Sequence, residues 1–134
     1  MKKPRPKSKA KPKSKTKASK SISVAQMKRA IESRDARAMS GFYDDDAVLH
    51  IVDRDNPPSR PNTILGKHAI TTYFADVCDR DMTHRLIKGV ADDKHLAFTQ
   101  SCAYPNGTKV LCSTMIELKN GKITKQTVVQ AWDG

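Results

Sequence analysis

Residues 109–132, KVLCSTMIELKNGKITKQTVVQAW, decide the fold. Two runs rich in apolar and β-branched side chains flank Asn120-Gly121, a dipeptide suited to the positive φ angles of a tight hairpin. Working back, residues 83–91 and 95–104 have the same character. Asp92-Asp93 and Pro105-Asn106-Gly107 separate them. The whole therefore reads as a four-strand antiparallel meander.

Upstream the apolar period changes from that of a strand to that of a helix. Ser23-Val-Ala-Gln26 has capping-box spacing, and Val24, Met27, Ala30 and Ile31 fall on one helical face. Asp35 can cap a second short helix carrying Ala38, Met39 and Phe42. Asp44-Asp45-Asp46 reads as a polar turn, residues 47–53 as a strand, and residues 56–62 (NPPSRPN) as a loop. Residues 66–78 read as a third helix, with Ile70, Tyr73, Phe74 and Val77 at helical spacing. Helices followed by a run of hairpins indicate an α+β fold: a curved antiparallel sheet packed against about three helices, with a natural cavity between them.

The formal charge of +11 is unevenly placed. Residues 1–20 hold ten of the twenty-five bases and no acid, so residues 21–134 hold fifteen bases against fourteen acids. The sequence thus divides into a Lys/Pro/Ser-rich tail, 1–20, and one domain, 21–134. The tail lacks the apolar side chains needed to offset ordering entropy and is expected to be disordered. Its charge suits nucleic acid or another polyanion without base specificity, and it has no aromatic ring to stack on bases.

No apolar run approaches the roughly 20 residues that span a bilayer, and the basic N-terminus is not a secretory signal. A cytoplasmic location is expected. Cys78, Cys102 and Cys112 lack metal-site spacing and read as buried free thiols. No His, Asp and Glu pattern suggests a metal, and no motif calls for a cofactor.

Several motifs, in order, resemble the SnoaL-like branch of the nuclear-transport-factor-like superfamily, which includes polyketide cyclases and ketosteroid isomerases. They are Phe42-Tyr-Asp-Asp-Asp-Ala-Val48, Gly66-Lys-His-Ala-Ile70 with Tyr73-Phe74, and Asn120-Gly-Lys-Ile123 followed by Trp132-Asp133. The resemblance covers roughly residues 23–133. It implies a cone-shaped fold, an apolar pocket between sheet and helices, and often a homodimer through the sheet's outer face. The isomerases of this group use a carboxylate base, a tyrosine and a protonated carboxylic acid. The resemblance places Ile51, Met27 and Ser113 or Thr114 at those positions, and none of these side chains can serve in kind.

Among the remaining titratable groups, Asp53 shares a strand face with Ile51 and is a candidate base, although an Asp before Arg54-Asp55-Asn56 is more often a solvated strand end. His84 is the best histidine for acid–base work; His50, His68 and His95 read as outward-facing or exposed. On the last strand Gln126, Val128, Gln130 and Trp132 share one face, while Ile123, Thr127, Val129 and Ala131 share the other. By resemblance the Gln/Trp face lines the pocket, with Met27, Phe42, Ile51, Tyr73 and Thr114. Two registers remain open at each Asn-Gly hairpin. At Asn120-Gly121 a strict two-residue turn puts Thr114 with Thr127, and a bulged turn puts it with Gln126. At Asn106-Gly107 a strict turn puts Cys102 and Cys112 on opposite faces, and a bulged turn puts them diagonally on one face.

The leading functional reading is a domain that binds an unidentified apolar small molecule. The first alternative is an isomerase, cyclase or hydrolase acting on an apolar carbonyl compound through Asp53 or His84. The second is an interaction module whose basic tail binds nucleic acid.

Overall fold

The computed structural model describes residues 21–133; residues 1–20, and the disorder expected of them, lie outside these. Among the described residues three helices, α1 (Val24–Glu32), α2 (Ala36–Ser40) and α3 (Lys67–Asp79), accompany six strands. The strands are β1 (Tyr43–Val52), β2 (Asn62–Leu65), β3 (Thr83–Ala91), β4 (His95–Ala103), β5 (Lys109–Lys119) and β6 (Lys122–Trp132). They form one curved, unclosed sheet in the order β2-β1-β6-β5-β4-β3. The expected α+β architecture and the β3–β6 meander are both present.

Local chemistry sets the helix starts. The Ser23 hydroxyl accepts from Gln26 N at 3.0 Å, and the Gln26 side chain accepts from Ser23 N at 2.8 Å, completing the capping box. Asp35 caps α2 by accepting from Ala38 N at 3.0 Å. Between them Arg34 takes a positive φ of 55° and donates to the carbonyls of Arg80 and Met82. That bond ties the α1–α2 turn to the segment joining α3 and β3.

Four findings differ from the sequence reading. First, the sheet is mixed, because β1 runs parallel to β6 while every other neighbouring pair is antiparallel. Alternation within each strand cannot reveal which distant strand is its neighbour. Second, β1 begins at Tyr43: the three aspartates form an irregularity between Tyr43 and Val48 in the pairing with β6, not a turn before the strand. Third, Asn62–Leu65, which the sequence reading left as the last loop residue and an unassigned stretch, is an edge strand on β1 ending at Gly66, whose φ is 90°.

Fourth, Ile123 is fully buried on the inner face, not on the outer face with Val129 and Ala131. Asn120 and Gly121 both have positive φ, and Lys119 pairs with Lys122 across a strict two-residue turn. The register then shifts beside Thr124, so that Glu117 pairs with Lys125, Ile116 with Gln126 and Thr114 with Val128. The extra residue brings Ile123, Gln126 and Val128 to the same side. At the other hairpin Cys102 pairs with Val110 and Gln100 with Cys112, so the two cysteines lie diagonally on one face.

The core lies between the helices and the inner sheet face, with Leu49, Ile70, Leu96, Ile116 and Ile123 fully buried. Gly89 lets α1 approach β3 closely. A Cβ there would stand 3.0 Å from the Ala97 carbonyl oxygen and 3.1 Å from Val24 Cγ1. Because one of those neighbours is backbone, Gly89→Ala is expected to cost about 1–3 kcal/mol, measured as a lower urea midpoint at unchanged slope.

Candidate functional site

The inner face of the sheet and the helices enclose a cavity of about 270 Å³. Helices α1 and α2 contribute Met27, Ile31 and Met39, and α3 contributes Tyr73, Phe74 and Val77. The sheet contributes inward positions of β1 and β3–β6, among them Ile51, Phe98 and Val128. Alternation on each strand explains this lining: residues 110, 112, 114, 116 and 118 of β5 are buried and those between them exposed.

Polar side chains inside the cavity mostly bond one another. The Tyr43 hydroxyl donates to Gln126 Oε1. Burial, with the nearby Tyr73, pushes the Tyr43 hydroxyl far above the usual phenol range, so it stays protonated. The Trp132 indole N–H donates to Gln130 Oε1 at 3.0 Å. Burial also raises the Tyr73 hydroxyl, against an opposing effect of Gln130. At one rim the Arg54 guanidinium lies 4.5 Å from the Trp132 ring centroid, Trp132 stacks on Tyr104, and Arg80 donates to the Tyr104 hydroxyl.

A second group spans β3, β4 and β5. His84 pairs with Cys102, and His84 Nδ1 stands 3.1 Å from Cys102 Sγ. Cys102, Cys112 and Gln100 are its neighbours on the same wall. The hydrogen bond with Cys112, reinforced by burial, pushes the Cys102 thiol far up, so it remains a thiol. Burial first, then the Arg34 and Arg80 guanidiniums, push His84 below the ordinary imidazole range, which keeps its ring neutral. Among the described residues no group of three or more His, Cys, Asp or Glu side chains could hold a metal ion.

Of the residues singled out from sequence, Met27, Ile51, Tyr73, Thr114, Gln126, Gln130 and Trp132 line this cavity, as do Asp53 and His84. Phe42 does not; it is half-buried and packs against the core. Thr114 faces inward and Ser113 outward. Asp53 Oδ1 accepts from Asp55 N and from the Asn56 side chain, which fixes the carboxylate at the end of β1. His50 meets Thr63 Oγ1 on β2, and His95 meets Asp92. The sequence reading missed Tyr43 and Gln100; for the two cysteines it left open the diagonal, one-face arrangement that the structure has. Tyr43 was hidden by the misplaced start of β1; the alternation of Phe98, Gln100 and Cys102 was the available signal for Gln100.

The profile of the SnoaL-like domain family matches residues 24–126. The chain belongs to that family. Among curated proteins none matches it. Similar solved structures include a candidate ketosteroid isomerase from Kribbella flavida, at 12% identity and TM-score 0.68, covering 88% of this chain and 78% of that one. An NTF2-like protein of unknown function from Mesorhizobium loti shares 12% identity at TM-score 0.70, covering 88% and 93%. Another from Burkholderia xenovorans shares 18% at TM-score 0.67, covering 90% and 84%. At such identities these likenesses speak to the fold alone. The SnoaL-like family itself comprises small-molecule-binding proteins of the isomerase and cyclase type.

The depressed His84 carries a pH signature. Above the unfolded value of about 6.5 both states are neutral and the group contributes nothing. As the pH falls below it, the unfolded chain takes up a proton that the folded chain resists, so folding stability falls. The urea midpoint of the wild type should therefore drop more between about pH 7.5 and 5.5 than that of His84→Gln. Equal drops would show that His84 is not held neutral.

Proposed function

We propose that this SnoaL-like domain binds an apolar small molecule in the cavity between α1–α3 and the sheet. The observation that carries this is the lining: thioether, aliphatic and aromatic side chains around about 270 Å³, with a few fixed polar groups. Small-molecule sites have this composition, because apolar contact supplies affinity and a few polar groups supply orientation. Internal pairing of Tyr43 with Gln126, and of Trp132 with Gln130, limits the polar cost of enclosing such a ligand. The three free thiols fit a reducing, cytoplasmic setting. No helix among the described residues is long and apolar enough to cross a membrane.

Catalysis on a carbonyl compound would draw on Asp53 or His84, since both line the cavity. The positions that the resemblance equates with the isomerase machinery hold Met27, Ile51 and Thr114, so that machinery is not repeated here.

N-phenylnaphthylamine, whose fluorescence rises in apolar surroundings, tests the binding reading. The wild type should bind it saturably, and Val128→Phe, which adds volume to the cavity wall, should weaken binding by about tenfold or more at a preserved circular-dichroism spectrum. Undiminished binding would place the dye elsewhere and sink the proposal.

A second copy of the chain is the partner proposed for the outer sheet face. Leu111, Met115 and Val129 are each about half exposed there, and Val90 is 69% exposed. Grouped apolar exposure of this kind marks an interface, and a dimer through this face is what the family resemblance implies. Sedimentation should find a dimer that Met115→Lys converts to monomer; a wild-type monomer at high protein concentration would exclude it.

A further inference from the structure

Two buried polar atoms on the cavity wall have no hydrogen-bond partner: His84 Nε2 and Gln100 Oε1. Both residues lie on the inner face where β3 meets β4, with His84 opposite Cys102 and Leu86 opposite Gln100. Both line the cavity. Buried polar groups are nearly always bonded, so two neighbouring exceptions in one cavity need a reason.

The chemistry of each side chain sets what each atom can do. The Gln100 amide oxygen can only accept. The neutral His84 ring stands with Nδ1 3.1 Å from the Cys102 sulfur, so Nε2 bears a lone pair when Nδ1 donates to that sulfur and the N–H when the thiol donates to Nδ1. A hydroxyl both donates and accepts, so it satisfies Gln100 Oε1 and suits either state of the ring.

We infer that the His84–Gln100 wall recognises a hydrogen-bond donor, so that the ligand is an apolar molecule carrying a hydroxyl group, as a phenol or alcohol does. This rests on the proposed ligand cavity and adds its polar specificity. A ketone or ether oxygen cannot satisfy the Gln100 acceptor, whereas a hydroxyl proton does. Discrimination should be pronounced because a site built to bond a hydroxyl leaves its own groups unpaired when an analogue lacks it.

The test uses the full chain and three probes: β-naphthol, its isostere β-methylnaphthalene, and β-naphthyl methyl ether, which keeps the oxygen without the proton. β-Naphthol should bind about tenfold more tightly than either. His84→Phe and Gln100→Leu should each erode that preference, read as the ratio of β-naphthol to β-methylnaphthalene affinity within the same variant. Equal affinities in the wild type, or a preference that survives both substitutions, would overturn the inference while leaving the cavity reading intact. The wild-type comparison decides alone if either variant fails to fold. If none of the three binds, the cavity reading falls and this inference with it.

Discussion

The register of the β5–β6 hairpin governs the cavity, because those two strands are the middle of the sheet and carry much of its inner wall. Side chains on a strand alternate with period two, so one residue more or less exchanges the faces. Here the turn at Asn120-Gly121 is strict, and a single extra residue beside Thr124 follows it. That residue sets Gln126, Val128 and Gln130 on the same side as Thr114 and Cys112 while Ile123 still faces the core. Without it, either the apolar anchor Ile123 or the Gln/Val segment would turn to solvent. The Thr124 hydroxyl, donating to the Glu117 carbonyl, spans the irregularity.

On that frame β1 docks parallel to β6 and closes the wall with Ile51 and Tyr43. The buried polar groups then fall into two classes. Tyr43 with Gln126, and Trp132 with Gln130, are satisfied within the protein and act as apolar-compatible structure. The His84–Cys102–Cys112–Gln100 group is bonded only in part, and its free valences line the cavity. Leaving such buried atoms unbonded costs the fold some stability.

Much of this was legible in the sequence, for identifiable reasons. The capping box at Ser23, the helix through Tyr73 and Phe74 and the four meander strands are local patterns, and local patterns survive folding. The parallel β1–β6 pairing was not legible because it joins residues some eighty positions apart. The edge strand Asn62–Leu65 was hidden by the prolines beside it. Ile123 was misplaced by assuming unbroken alternation through Thr124. Within the cavity, single strands gave Gln126, Gln130 and Trp132, but His84 with Cys102 and Gln100 emerges only when β3 and β4 are paired.

The most direct measurement is a methyl-resolved NMR titration of the full chain with N-phenylnaphthylamine. The account predicts saturable shifts concentrated on the methyl groups of Met27, Ile51 and Val128 and on the Trp132 indole, all of which line the cavity. Shifts confined to Leu111, Met115 and Val129 on the outer face, or no saturable shifts at all, would contradict it.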